Sequence, residues 1–292
     1  MPFSSMDDLV NEITSGKFNR ADWNKLTGAA AYTAGRWFDM SGLAGTPVAN
    51  AFAGTALAWR TCDEATGNGT QIFGLPHGGN VSPDTKHILN VSAVTAVATG
   101  VPAQLMLVDL QGYWPGITNN SATAQTLTGT PTLRYTNGAG CRLFWVQTAT
   151  AGATAQNISV SYTNTTPTAG RALPVTVAMT ASAIAPHISH SGTAANNYGP
   201  FLPLASGDTG VSNVATVTFS AANTGTGALC LARPLLTLPL TTASVAAERD
   251  LLNQLPSLPR VMDGACLTWL YFAGAATGAT TNFYGAVEVG WG

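Results

Sequence analysis

From Arg36 to the end of the chain, apolar and small polar residues alternate in short runs, and Gly, Asn, Pro and Ser separate the runs. Alternation at a period of two marks strands that bury one face. The runs predict strands over Ala56–Thr61, His87–Val97, Gln104–Leu110, Cys141–Thr148, Asn157–Thr163, Leu173–Ala181, Val214–Ser220, Leu229–Pro234, Cys266–Ala273 and Tyr284–Val289. Turn signals such as Thr136–Gly140 and Asn223–Gly227 punctuate them. Many short strands with no strand–helix–strand alternation predict a mainly β chain, an antiparallel β-sandwich of jelly-roll-like type.

Two segments follow the helical period instead. Ser4 or Ser5 caps a first helix, Asp7 or Asp8 follows as in a capping box, and Gly16 ends it. Met6, Leu9, Val10 and Ile13 form its apolar stripe. A second short turn, Arg20–Leu26, carries Trp23. Residues 1–35 therefore read as a short N-terminal helical arm and 36–292 as the sandwich domain, with length enough for two lobes divided near Thr165–Arg171. The stripe either packs on its own sandwich or docks on a neighbouring subunit. Met6, Leu9, Val10, Ile13 and Trp23 are the interface candidates. In the second half Ser244 caps a further helix, with Glu248 in its first turn. Ala247, Leu251, Leu252 and Leu255 form its apolar side and Pro256 stops it. The small polar stretches Ser121–Thr132 and Thr148–Ala155 read as surface loops.

Composition changes this picture in one respect. Of the 292 residues only 9% are charged, against a usual share of about a quarter. A lone soluble domain relies on charge to stay dispersed. A chain this poor in charge is expected to have much of its surface covered by copies of itself or by a partner. The net charge is -2. The three lysines Lys17, Lys25 and Lys86 and the scattered arginines make no footprint for nucleic acid. No stretch approaches the ~20 apolar residues of a membrane helix. The opening MPFSSMDDLVNEI lacks the basic and apolar regions of a secretory signal, so synthesis in a cytoplasm is expected. Cys62, Cys141, Cys230 and Cys266 are far apart with no CxxC, which favours reduced core cysteines over a zinc site. Disulfides formed after release from a cell are the other reading.

The candidates for chemistry are few. Asp208-Thr209-Gly210 is the loop signature of aspartic proteases, where two aspartates share a proton. Here Ser206-Gly207 precedes it instead of an apolar strand, and the reading preferred is a β-turn. Of His77, His87, His187 and His190, the closest pair, His187 and His190, has no acidic residue placed to complete a metal site and reads as polar loop histidines near a turn. Trp114, between Tyr113 and Pro115, either stacks on a sugar or anchors a loop. There is no G-x-S-x-G elbow and no P-loop. No catalytic residue, metal or cofactor is expected.

Three stretches resemble virion structural proteins of tailed bacteriophages, of the capsid-decoration or head-associated kind. They are DDLVNEITSGKF with DWNKLTGAAAYTAGRWFDMSG near the start, HGGNVSPDTKH at His77–His87, and AERDLLNQLPSLPRVMDGACLTWLYFAGAATG toward the end. The resemblance implies a protein made in the cytoplasm that joins a particle without catalysis. The leading expectation is a decoration protein that binds a major capsid protein and reinforces the shell. It would associate as a homo-oligomer, with a closed trimer covering the sheet edges. A receptor- or glycan-binding fibre module using Trp114 and Tyr113, and a shell-forming double jelly roll, are the alternatives.

Overall fold

The alternating runs pair into three antiparallel sheets. The computed structural model describes residues 3–28, 30–191, 199–254 and 258–292. In chain order the strands are β1 (Phe18–Leu26), β2 (Arg36–Asp39), β3 (Ala44–Thr46), β4 (Arg60–Thr61), β5 (Lys86–Thr95), β6 (Ala103–Thr118), β7 (Gln125–Thr126), β8 (Arg142–Ala149) and β9 (Gln156–Asn164). There follow β10 (Arg171–Ala172), β11 (Val177–Met179), β12 (Val211–Phe219), β13 (Thr226–Leu240), β14 (Ala247–Asp250), β15 (Arg260–Val261), β16 (Leu267–Ala273) and β17 (Asn282–Trp291). The helices are α1 (Met6–Thr14) and the single turn α2 (Leu251–Gln254). Every strand segment expected from the sequence overlaps an observed strand.

The central sheet runs β2-β16-β6-β13-β8, with β4 also on β6. Its long strands β6 and β13 serve two sandwiches at once. Leu105 and Leu107 on β6 and Leu236 and Leu238 on β13 pack with Trp23, Ile88 and Val91 of the sheet β14-β5-β17-β1-β3. Farther along the same strands, Trp114, Ile117, Leu229 and Leu231 pack with Val160, Val214 and Phe219 of the sheet β10-β9-β12-β7. The pairing shifts register at Gln111, an extra residue that keeps Trp114 on the face of Leu107. The opposite face carries Trp37, Val108, Leu110, Tyr113, Cys230 and Leu270, under a cover that includes Phe52, Phe73, Ile188 and Phe201. The accessible surface is 11396 Å², close to the roughly 11,700 Å² of a compact monomer of this mass. The core is therefore buried without any partner.

Two elements differ from the sequence reading. Arg20–Leu26 is a strand and not a helical turn. Ala21, Trp23 and Lys25 point inward and alternate with exposed Arg20, Asp22 and Asn24. The inward Lys25 hides the period of two, because lysine is rarely buried. Its ammonium donates to the carbonyls of Leu43 at 3.1 Å and Pro47 at 2.5 Å, and burial pulls its pKa down to about 8. The second difference is at Ala247–Asp250, which pairs antiparallel with Ala93–Asn90 of β5. Tertiary pairing outweighs the helical spacing there. Ser244 has φ 61, outside the extended region an N-cap needs, and its N–H donates to the Thr95 carbonyl at 2.7 Å. Leu255 and Pro256 lie outside the described residues.

The sheet edges are also managed differently from the expectation that other subunits cover them. Residues 186–190 bridge both edges of the central sheet. Asp39 N–H donates to Pro186 O and Ile188 N–H to Trp37 O on the β2 side, each at 3.0 Å. On the β8 side Gln147 N–H donates to His187 O at 2.9 Å, and Trp145 N–H to His190 Nε2 at 3.2 Å. The remaining edge strands β3, β4, β7, β10, β11, β14 and β15 are two to four residues long. The chain blunts its own edges.

Candidate functional site

A cleft of about 580 Å³ opens beside the central sheet. It lies where the two sandwiches diverge, and Arg134, Tyr135, Arg233, Leu235, Arg260 and Met262 are among its walls. One wall residue, Arg134, forms an ion pair with Asp109, which does not itself line the cleft. Asp109 interrupts the apolar run of β6 and is fully buried, on the same face as Leu107. Arg134 Nε donates to Asp109 Oδ2 at 3.1 Å and Nη2 to Oδ1 at 2.5 Å. Arg134 also donates to the carbonyls of Cys62 and Leu110, each at 2.7 Å, and Cys266 N–H donates to Asp109 Oδ1 at 3.0 Å. This fork-on-carboxylate geometry satisfies both charges without water. Arg233 is the cross-strand neighbour of Asp109. It donates to Ala139 O at 2.9 Å and lies 4.3 Å from the centre of the Tyr135 ring. Arg260 is exposed at the cleft mouth.

A second polar cluster holds the stretch His77–His87. His77 is fully buried and Lys86 nearly so. Lys86 Nζ donates to His77 Nδ1 at 2.7 Å, which places the imidazole proton on Nε2. That N–H faces Ala265 O at 2.8 Å and Glu64 Oε2 at 3.2 Å. Burial, and then the Lys86 charge, hold the His77 pKa down, so the ring is neutral. Glu64 also accepts from Gly79 N–H at 3.0 Å, and Lys86 lies 3.6 Å from Asp263. The donors and acceptors are consumed inside the cluster. Its chemistry is that of a clamp joining three loops to the start of β5.

Asp208 is occupied in the same way. Its carboxylate accepts from Tyr162 Oη and Asn164 Nδ2, each at 2.7 Å, and from Arg171 Nε at 2.9 Å. The Arg171 hydrogen bond, with those of Asn164 and Tyr162, pulls its pKa down to about 2. Asp208 N–H closes a turn on Ala205 O at 3.0 Å, as the turn reading requires. The carboxylate thus pins the β9–β10 connection to the loop before β12. Asp208→Asn is expected to lower the thermal midpoint at pH 7. The gap from the native chain should narrow as pH falls through 4 toward 2, because the native carboxylate's contribution holds above the unfolded pKa and is lost below the folded one. Thermal denaturation across that pH range checks it.

The other sequence candidates take these places. His187 and His190 lie in a turn-rich loop segment, as the sequence reading expects, and they are buried because that segment closes the central sheet. Trp114 and Tyr113 are fully buried: Trp114 packs 4.6 Å from Trp59 and donates to Thr128 O at 3.2 Å. Neither ring presents a face to a sugar. Trp23 is core, 5.4 Å from Trp269. The α1 stripe divides: Leu9 is buried, Ile13 half-buried, and Met6 and Val10 are 59% and 53% exposed. All four cysteines are free and buried. Among the described residues no group of three or more His, Cys, Asp or Glu side chains is placed to hold a metal, and no helix is long and apolar enough to cross a membrane. Sequence reasoning missed Asp109, Arg134, Arg233 and Arg260. The one available signal was an acid inside the apolar run Gln104–Leu110.

No protein-family profile matches the chain, and no curated protein matches it. Among solved structures, the infectious bursal disease virus VP2 subviral particle is similar at 10% identity and TM-score 0.17, over 94% of this chain and 80% of that one. The Gt strain of the same virus gives 8% identity and TM-score 0.18, over 94% and 79%. T=1 particles derived from the virus give 8% identity and TM-score 0.16, over 94% and 77%. TM-scores this low do not establish a shared fold.

Proposed function

We propose that the chain is a structural virion protein that attaches to a capsid through a surface poor in exposed charge, and that it catalyses no reaction. One observation carries this reading. The chain has 12 basic and 14 acidic residues, yet only Asp7, Arg20, Asp22, Glu248 and Arg260 are exposed. Lys25, Asp39, Lys86 and Asp109 are buried and the remainder half-buried. What faces solvent is mostly Thr, Ser, Asn, Gly and Ala. Such a surface is covered at little desolvation cost, and low surface charge favours association over dispersal. The polar clusters support the reading, since their donors and acceptors are spent on holding loops and strands together. The finer assignment is decoration: a rigid double sandwich laid across subunits of a major capsid protein in the host cytoplasm.

Electron microscopy of purified particles tests it. The protein should sit on the outer shell at fixed stoichiometry and stay bound in 1 M salt, where the Debye length is about 3 Å and surface ion pairs are screened. Absence from particles, or release by salt, overturns the proposal. Density forming the continuous shell itself would replace decoration with shell formation, and density at the tail tip would assign an adhesin.

A further inference from the structure

Of the five exposed charged side chains, three are satisfied within the chain. Arg20 donates to Asp22 and to Glu288, each at 2.9 Å, and Glu248 accepts from Asn90 at 2.7 Å. Asp7 and Arg260 remain, one acid and one base. Among the described residues neither has an opposite charge within 4 Å. Both belong to the same end of the sheet β14-β5-β17-β1-β3. Arg260 is the β15 residue opposite His87. Helix α1 packs on β17, whose Gly290 and Trp291 pair with His87 and Lys86. Phe3, which leads into α1, has its ring centre 6.0 Å from that of His87. Exposed apolar groups accompany both charges: Met6 and Val10 beside Asp7, and Leu252 on α2, which packs on β5.

A patch that holds one free acid, one free base and uncovered apolar side chains is complementary to a copy of itself. We propose that it binds a second copy of this chain about a two-fold axis, with Asp7 of each protomer meeting Arg260 of the other. A two-fold contact uses each pair twice, so two ion pairs flank one apolar centre made by the two α1 stripes. The inference rests on the assembly reading above and replaces the expected trimer with a two-fold contact. It also explains why the α1 stripe is half spent on its own chain: Leu9 holds the helix down, while Met6 and Val10 are left to face a partner.

Sedimentation equilibrium of the full chain at micromolar concentration tests the inference, with circular dichroism confirming that each variant folds. The native chain should dimerise at low salt and weaken as salt rises. Asp7→Lys and Arg260→Glu each create two like-charge contacts per dimer and should weaken association about tenfold or more. Combining them should restore it. Val10→Ser, which leaves charge unchanged, should also weaken it. A monomeric native chain, single reversals that dimerise as the native chain does, or a combined variant that stays dissociated would each overturn the inference. The readout is association between copies in solution, so its failure is distinct from failure to attach to particles.

Discussion

Lowering the pH from 7 to 5 is expected to remove about 4 kcal/mol of folding stability through His187 and His190 alone. Burial, with the Arg36 charge and then His190 adding to it, brings His187 down to about 3; burial brings His190 to about 3 as well. The unfolded rings titrate near 6.5. Both rings are therefore neutral in the folded chain, while the unfolded chain takes up their protons as pH falls below 6.5. The unfolded state binds more protons there, so stability falls with pH, by about 2 kcal/mol per ring over this interval. The contribution is intact above pH 6.5 and fully lost only near pH 3. His77 and His87 are also held down, chiefly by burial, and act in the same direction. Against a total stability of about 5–15 kcal/mol, the loss is large. Its location matters too. His187 and His190 lie in the segment that closes the β2 and β8 edges, so protonation should open those edges and favour aggregation. Denaturant melts at pH 7, 6 and 5 read the effect. His187→Phe is the decisive variant, because His187 Nε2 has no hydrogen-bond partner among the described residues and the ring stacks 5.0 Å from Phe38. It should regain about 2 kcal/mol relative to the native chain at pH 5 and little at pH 7. An unchanged pH profile would refute the assignment.

The strands were legible where one face is uniformly apolar. In β5 the buried positions Ile88, Val91 and Ala93 come from a run whose pattern is visible by eye. β1 was not legible, because Lys25 occupies an inward position and its three carbonyl acceptors come from residues 43–48, which no local pattern reveals. β14 was hidden for the opposite reason: Ala247, Leu251 and Leu252 mimic a helix face, and only the distant β5 makes Ala247–Asp250 extended. The sharing of β6 and β13 between two sandwiches was likewise out of reach. It depends on a bulge at Gln111 and on pairing between distant segments, such as Trp114 with Leu229. For the cleft, the one signal in the sequence was Asp109, a charge in an apolar run, and the strand pattern around it masked its role. Its partner Arg134 follows a small polar stretch that gave no sign of reaching the core. His187 and His190 were visible as residues but not as buried ones, since burial there is supplied by the edges the segment covers.

Arg134→Ala is expected to destabilise the fold by about 3–5 kcal/mol. The Asp109 carboxylate is wholly inaccessible, and in this variant it keeps only the Cys266 N–H among the bonds described above. A buried charge without its counter-charge costs far more than an exposed one, since water cannot reach it. The loss also reaches beyond the pair. Arg134 ties Asp109 on β6 to the carbonyls of Cys62 and Leu110, at the point where the central sheet passes from one sandwich to the other. Removing the charge on both sides separates these contributions. Asp109→Asn combined with Arg134→Met leaves a neutral amide and an apolar chain of similar reach, and should recover much of the loss, as buried pairs replaced by neutral groups commonly do. If the pair acts through charge burial, the combined variant is more stable than Arg134→Ala alone in urea. Were the combined variant no more stable than Arg134→Ala, the carbonyl bonds of the guanidinium would be the main contribution, and this part of the central sheet would be held by hydrogen bonding rather than by charge.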